Sequence, residues 1–242
     1  MRLVVRADAE SVARFVADRV AAQLAVKPPS VLGLATGATM EPVYAELGRR
    51  AEAREIRFRR AVTFNLDEYV GVAGDDPSSF RAWMHRLFFA HVNIKPENIH
   101  LPDGAAADPE AEAARYDAAI AEAGGIDLCL LGIGLNGHVA FCEPGTPFDS
   151  RTHVARLARE TIESNRRNFP PGARVPERGI TMGLGTILES RMIVLIATGA
   201  AKRAPLARAM TGPVDPACPA SILQRHPKAI AVVDAAAAPA KP

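Results

Sequence analysis

Cysteine is scarce in this chain: Cys129, Cys142 and Cys218 lie far apart, form no CxxC pair and leave one over from any pairing. That argues against a disulfide framework and a zinc knuckle, and it fits a reducing cytoplasm. Long apolar runs are missing as well. The opening MRLVVRADAESVARFVADRV carries a charge every few residues, so it offers neither the apolar core of a signal peptide nor a membrane-spanning helix. No other segment reaches spanning length. Aromatic residues make up 5% of the chain and are not interleaved with Lys and Arg, which removes the base-stacking platform of a single-strand binder. With 29 basic against 27 acidic residues the formal charge is +2, too small for the field that recruits nucleic acid or an anionic bilayer. Basic residues that matter must act locally.

What the chain does have is apolar material, 48% of 242 residues, enough to fill one sizeable core. No linker or internal repeat divides it, so a single domain over 1–242 is expected. Short apolar runs at 3–5, 31–35, 61–65, 126–131, 192–197 and 229–233 read as strands. A further short strand is expected near 101, and another entering a glycine-containing helix across 179–188. Helical spacing covers 11–26, where Val12, Phe15, Val16, Val20 and Leu24 recur until Lys27-Pro28-Pro29 stops them. It returns at 41–53, 80–91, 108–123 and in the stretch ending at Met210. Near-continuous apolar strands alternating with helices are the pattern of a mainly parallel sheet covered on both faces, a Rossmann-like open α/β fold. The Ala- and Pro-rich tail, 235–242, is expected to be unstructured.

In such sheets ligands bind beyond the carboxyl ends of the strands, so the residues following each run are the ones to read. After 126–131 comes Gly132-Ile133-Gly134-Leu135-Asn136-Gly137-His138, with Glu143 shortly behind. An imidazole and a carboxylate at a sheet edge can move protons, although a lone histidine is more often structural. Asp67, one residue past 61–65 in Leu66-Asp67-Glu68-Tyr69, reads either as a second acid-base group or as a turn or cap residue. Thr36-Gly37-Ala38-Thr39, ahead of a helix with Pro42 in its first turn, reads either as a tight turn or as a phosphate cradle of unpaired N–H groups. It has neither the Lys-Ser/Thr ending of a P-loop nor the glycine spacing of a dinucleotide fingerprint. Lys202, in the first turn of a helix after Thr198-Gly199, opposes the helix dipole and is easier to explain beside a bound anion. Seven arginines fall between Arg151 and Arg178, Arg167 among them, in partly irregular sequence. The segment 146–178 is either a solvated cover or a lid that takes phosphate in planar guanidinium groups.

Thr36-Gly37-Ala38-Thr39, Phe64-Asn65-Leu66-Asp67-Glu68-Tyr69, the run from Gly132 to Pro144, and His226-Pro227-Lys228-Ala229 occur in an order and spacing that resembles the glucosamine-6-phosphate deaminase family. The resemblance extends from about Val31 to Val233. It implies conversion of D-glucosamine 6-phosphate and water into D-fructose 6-phosphate and ammonium, in amino-sugar (N-acetylglucosamine) catabolism. No metal or organic cofactor is implied. The partner is a small amino-sugar phosphate, not nucleic acid or membrane, and a homo-oligomer is left open. By the same resemblance, His138 opens the sugar ring, Glu143 holds and polarises its imidazole, and Asp67 moves a proton from carbon 2 to carbon 1. Arg167 and Lys202 would grip the phosphate, with Thr36, Gly37, Ala38 and Thr39 as backbone and hydroxyl donors.

Two positions depart from the family pattern. Asn136 stands where many members have aspartate; it is not a base, but it can hydrogen-bond the imidazole or a sugar hydroxyl. Cys142 replaces the usual asparagine and reads as a small buried residue without an activating neighbour. The related 6-phosphogluconolactonases share the fold and the glycine-rich turns but not the Phe-Cys/Asn-Glu-Pro continuation. Longer members activated by N-acetylglucosamine 6-phosphate carry a C-terminal extension, whereas this chain stops soon after Val233, so weak or absent allostery is expected.

Overall fold

In the computed structural model, which describes residues 1–239, the chain runs β1 (Arg2–Arg6), α1 (Ala9–Val26), β2 (Val31–Leu34), α2 (Glu41–Glu52), β3 (Val62–Asn65), β4 (Asp67–Tyr69), α3 (Phe80–Leu87), β5 (Ile99–His100) and α4 (Pro109–Glu122). It continues through β6 (Leu128–Leu131), β7 (His153–Arg156), α5 (Arg159–Asn165), β8 (Arg178–Thr181), α6 (Leu184–Leu188), β9 (Ile193–Ala197), α7 (Arg203–Thr211) and β10 (Ala229–Asp234). Seven strands pair in the order β1-β10-β9-β6-β2-β3-β5, every pair parallel. The apolar runs are strands because both faces are covered: every residue of β2, β6, β9 and β10 is buried. From β2 the chain winds outward to β3 and β5, and from β6 outward the other way to β9. The crevice between β2 and β6 is therefore the topological switch point of the sheet.

Two buried tyrosines hold the ends of β2 and β3 on one side of this crevice. Tyr44 of α2 donates its hydroxyl to the Ala35 carbonyl (2.5 Å), and Tyr116 of α4 donates to the Asn65 carbonyl (2.8 Å). Each satisfies a carbonyl just beyond the sheet ladder or at its last residue, where the backbone would otherwise be buried without a partner. Close packing at the switch point requires Gly33, since a Cβ there would come within 2.9 Å of Cys129 Sγ.

A second sheet, not anticipated from sequence, pairs β4-β8-β7 antiparallel. The chain changes sheets at Leu66: its N–H donates to the Leu34 carbonyl of the main sheet, while its own carbonyl accepts from Met182 N–H. Asp67 is thus the first residue of a strand, directly opposite Thr181, and not the turn or cap residue of one sequence reading. Its neighbour Glu68 shares the capping of α3 with Ser79: Glu68 accepts the Phe80 and Arg81 N–H groups and the Ser79 hydroxyl accepts the Ala82 N–H. Around the small sheet Tyr69, Val72, Phe80, Phe141, Ala155 and Leu157 form a core separate from the main one, with Phe169 and Ile162 against it.

Two further expectations are corrected. The helix expected over 80–91 is α3 only to Leu87; Phe88 leaves helical geometry and Phe89–His91 form a 3-10 turn. The tail expected to be unstructured after Asp234 is a closed turn as far as Ala238: Asp234 accepts the Ala237 N–H, and Ala237 is fully buried. Residues 240–242 of that tail lie outside the described residues.

Candidate active site

Apart from Arg167, the candidate site residues come from the carboxyl ends of four adjacent strands, β9, β6, β2 and β3, with the sheet switch point at their centre. The loop after β6 supplies Asn136, His138 and Glu143; the loop after β2 supplies Thr36 to Thr39; the exit from β3 supplies Asp67; the loop after β9 supplies Lys202. His226 and Lys228 of the family-like motif lie at the other end, ahead of β10. There the His226 ring accepts the Lys228 N–H at Nδ1 and contacts the Ser190 carbonyl at Nε2, a structural pairing.

Glu143 is the hub of the β6 loop. Its Oε2 accepts from Asn136 Nδ2 (2.8 Å) and lies 3.5 Å from His138 Nδ1, while Oε1 accepts from the Ala158 N–H (3.0 Å) and the Thr161 hydroxyl. Burial pushes this carboxyl upward, but the His138 hydrogen bond and charge, with Thr161 and Ala158, outweigh it and hold it at about 2. Asn136 does not reach the imidazole, one of its two expected partners. Its Oδ1 accepts the backbone N–H of His138 (3.1 Å) while its amide donates to Glu143, so the side chain braces both partners of the pair. The imidazole lies over Gly134, where a Cβ would overlap three of its ring atoms. The glycine run of this loop therefore makes room for the ring itself. Gly137, at φ +94°, supplies the left-handed bend that turns the chain back toward it.

Asp67 is the opposite kind of carboxylate. It is 6% exposed, and its Oδ1 is buried without a hydrogen-bond partner. Burial, reinforced by the negative charge of Glu68, pushes it up to about 8. Cys142 lies near enough to both carboxylates that each helps raise its thiol, after burial; its Sγ donates to the Met182 carbonyl (3.1 Å). An uncharged, fully buried thiol is not a nucleophile, as expected from sequence.

The loop of Thr36 to Thr39 has the form of an anion cradle. Gly37 takes φ +108°, and among the described residues the N–H groups of Gly37, Ala38 and Thr39 make no bond within the protein. Lys202 precedes α7 at its cap position, its Nζ donating to the Ile133 carbonyl of the β6 loop (2.7 Å). Burial, then the positive charge of Arg167, holds this ammonium below its usual range. Two cations near enough to oppose one another are what an anion between them would relieve. Arg167 itself is exposed, in a 3-10 turn following α5. Among the described residues no group of three or more His, Cys, Asp or Glu side chains converges as a metal ion would require.

Thr161 was not legible beforehand. A single threonine early in a short helix carries no signal, yet it touches both Glu143 and, at 3.3 Å, His138 Nδ1.

This is an open α/β protein that gathers a histidine and carboxylates at its switch point, with a loop of unpaired N–H groups beside them. The chain belongs to the family of glucosamine-6-phosphate isomerases and 6-phosphogluconolactonases, whose pattern matches residues 6–232. It is 49% identical to a glucosamine-6-phosphate deaminase of Rhodopirellula baltica, over 96% of this chain and 92% of that one. To the Hahella chejuensis protein of the same name it is 45% identical, over 98% and 91%. A solved monomeric glucosamine-6-phosphate deaminase superposes with a TM-score of 0.96 at 39% identity, covering 98% of both chains. A 6-phosphogluconolactonase of Thermotoga maritima shares the fold, at a TM-score of 0.76 and 21% identity over 96% of this chain and 99% of that one.

Proposed function

We propose that this chain converts D-glucosamine 6-phosphate and water into D-fructose 6-phosphate and ammonium, as an enzyme of amino-sugar catabolism in the cytoplasm. The observation that carries the reading is the split between two carboxylates of one site, Glu143 held at about 2 and Asp67 pushed up to about 8. Environments that drive two acids apart assign them different tasks.

The sugar arrives as a closed ring. His138 transfers the proton of the anomeric hydroxyl to the ring oxygen, and ionised Glu143 stabilises the imidazolium that forms between the two transfers. Asp67 then takes the proton from carbon 2 and, after exchange with solvent, delivers one to carbon 1. As the base it must be ionised, which burial opposes. The ammonium on carbon 2 of the substrate supplies the positive charge that the protein does not, so the amino sugar itself brings Asp67 into its working form. The ketose imine that results adds water at carbon 2 and releases ammonium.

The phosphate is remote from these carbons. Thr36, Gly37, Ala38 and Thr39 offer free N–H groups and hydroxyls, and Lys202 and Arg167 offer charge. Holding the phosphate places carbons 1 and 2 at Asp67, a contribution that reaches about 7 to 11 kcal/mol in favourable cases. Within the segment 146–178, β7 is fixed in the small sheet and Ala155 and Leu157 belong to its core, so the part that acts as the lid is α5 and the turn after it, which carries Arg167 and packs Ile162 and Phe169 on that core.

Release of ammonium and fructose 6-phosphate from glucosamine 6-phosphate tests the reading, with hydrolysis of 6-phosphogluconolactone run alongside. Lactone hydrolysis without ammonium would make the chain a lactonase on the shared fold. Tight sugar-phosphate binding without either product would make it a binding protein.

A further inference from the structure

We infer that Thr161 is a positioning residue that keeps a proton on Nδ1 of His138, leaving Nε2 as the atom that exchanges protons with the sugar. The inference deepens the deaminase reading and rests on it for what the imidazole is used for. It follows from counting donors and acceptors. Ionised Glu143 only accepts, so the Thr161 hydroxyl, with its one proton, must donate to Oε1. Toward His138 Nδ1, at 3.3 Å, the same oxygen then has only lone pairs to offer. The other atom facing Nδ1, Glu143 Oε2 at 3.5 Å, is also an acceptor. With acceptors on every side, Nδ1 carries hydrogen whether the ring is neutral or charged.

The Asn136 orientation agrees independently. Rotating its amide would set Oδ1 against the Glu143 carboxylate and the NH2 group against the His138 backbone N–H, losing both bonds, so Oε2 has its donor in Asn136 Nδ2. No residue among those described bonds to His138 Nε2, which leaves it free for the substrate.

Thr161 also shares its segment with the proposed phosphate ligand Arg167. It lies on α5, and Arg167 follows in the next turn. One segment therefore carries both the proposed phosphate ligand and the hydroxyl that sets the imidazole. The lid keeps a second tie to Glu143, the Ala158 N–H, so loss of the Thr161 hydroxyl disturbs the imidazole without detaching the segment.

The test compares Thr161→Val, equal in shape but without a hydroxyl, with Thr161→Ser, which keeps it. Protein labelled with 15N-histidine is examined by ring-nitrogen NMR, the His138 signals being identified by their loss in His138→Gln. We expect wild type and Thr161→Ser to show hydrogen on Nδ1 and a bare Nε2 in the uncharged ring. Thr161→Val should show a mixture of tautomers, with kcat reduced about 10- to 100-fold and KM for glucosamine 6-phosphate within about twofold. An unchanged tautomer in Thr161→Val overturns the inference, whatever happens to kcat. So does a Thr161→Ser variant that behaves like Thr161→Val. Failure of the deaminase reading would instead appear as absence of ammonium release by the wild type, with the NMR comparison still deciding the tautomer.

Discussion

The side-chain amide of Asn136 donates to Glu143 Oε2 at 2.8 Å, so a neutral residue stands against the ionised carboxylate that pairs with His138. Asn136→Asp would put two acceptor-only groups at that distance. The pair would then share a proton, one member titrating well above the usual carboxylate range. The penalty is present when both are ionised and is relieved as pH falls through the raised value. Compared with wild type, the variant should lose on the order of 1 to 3 kcal/mol at pH 8 and much less at pH 5. Thermal unfolding at the two pH values measures this; an equal loss at both would show that charge repulsion is not the cause.

Asp67 carries a stability cost of the opposite kind to a salt-bridged carboxylate. Its folded-state value, about 8, lies above the ordinary value of 3.8, so the folded chain holds a proton that the unfolded chain releases. Stability therefore falls as pH rises from about 4 to about 8. Asp67→Asn removes that dependence. The variant should gain in unfolding temperature relative to wild type as pH is raised from 5 to 8, by roughly 5 °C or more. A constant difference over that range would place Asp67 in a more polar environment than its burial indicates.

Gly134 bears the imidazole of His138 on its Cα. Gly134→Ala should lower kcat at least about 10-fold while leaving the fold intact, because the ring must move by more than proton transfer tolerates. Circular dichroism and steady-state kinetics together check this, and normal turnover would mean the ring has a second working position.

Arg167→Ala and Lys202→Met should act on binding. Charge-assisted hydrogen bonds to phosphate contribute about 1.5 to 3 kcal/mol, so KM for glucosamine 6-phosphate should rise about 10-fold or more, with a smaller change in kcat. Lys202 also holds the Ile133 carbonyl, so its variant should show the larger secondary loss in kcat. Inhibition by inorganic phosphate should weaken in parallel. A variant that loses turnover but binds substrate and phosphate normally would remove that residue from the phosphate site.

Much of the sheet was legible because parallel strands buried on both faces, such as β6 and β9, leave unbroken apolar runs, and the topology rule then points to their carboxyl ends. Asp67, His138 and Glu143 could be singled out on that ground. The small antiparallel sheet was not legible, since Asp67-Glu68-Tyr69 is three residues with two carboxylates, and its pairing with β8 comes from tertiary context. The closed turn after Asp234 was missed because a run of alanines carries no periodic signal, although a cap at Asp234 suffices to order it. The bracing role of Asn136 could be only half foreseen, because sequence shows that an amide bonds something but not which neighbour comes within reach.

In the proposed reaction Asp67 moves the proton at carbon 2 and carbon 1. The most direct test is to incubate glucosamine 6-phosphate with each protein in D2O and follow carbon 1 and carbon 2 by proton NMR. Wild type should place deuterium at carbon 1 of the fructose 6-phosphate formed and at carbon 2 of the recovered substrate. Asp67→Asn should bind the sugar phosphate and incorporate none at either carbon. Deuterium entering at the wild-type rate in Asp67→Asn would contradict the account.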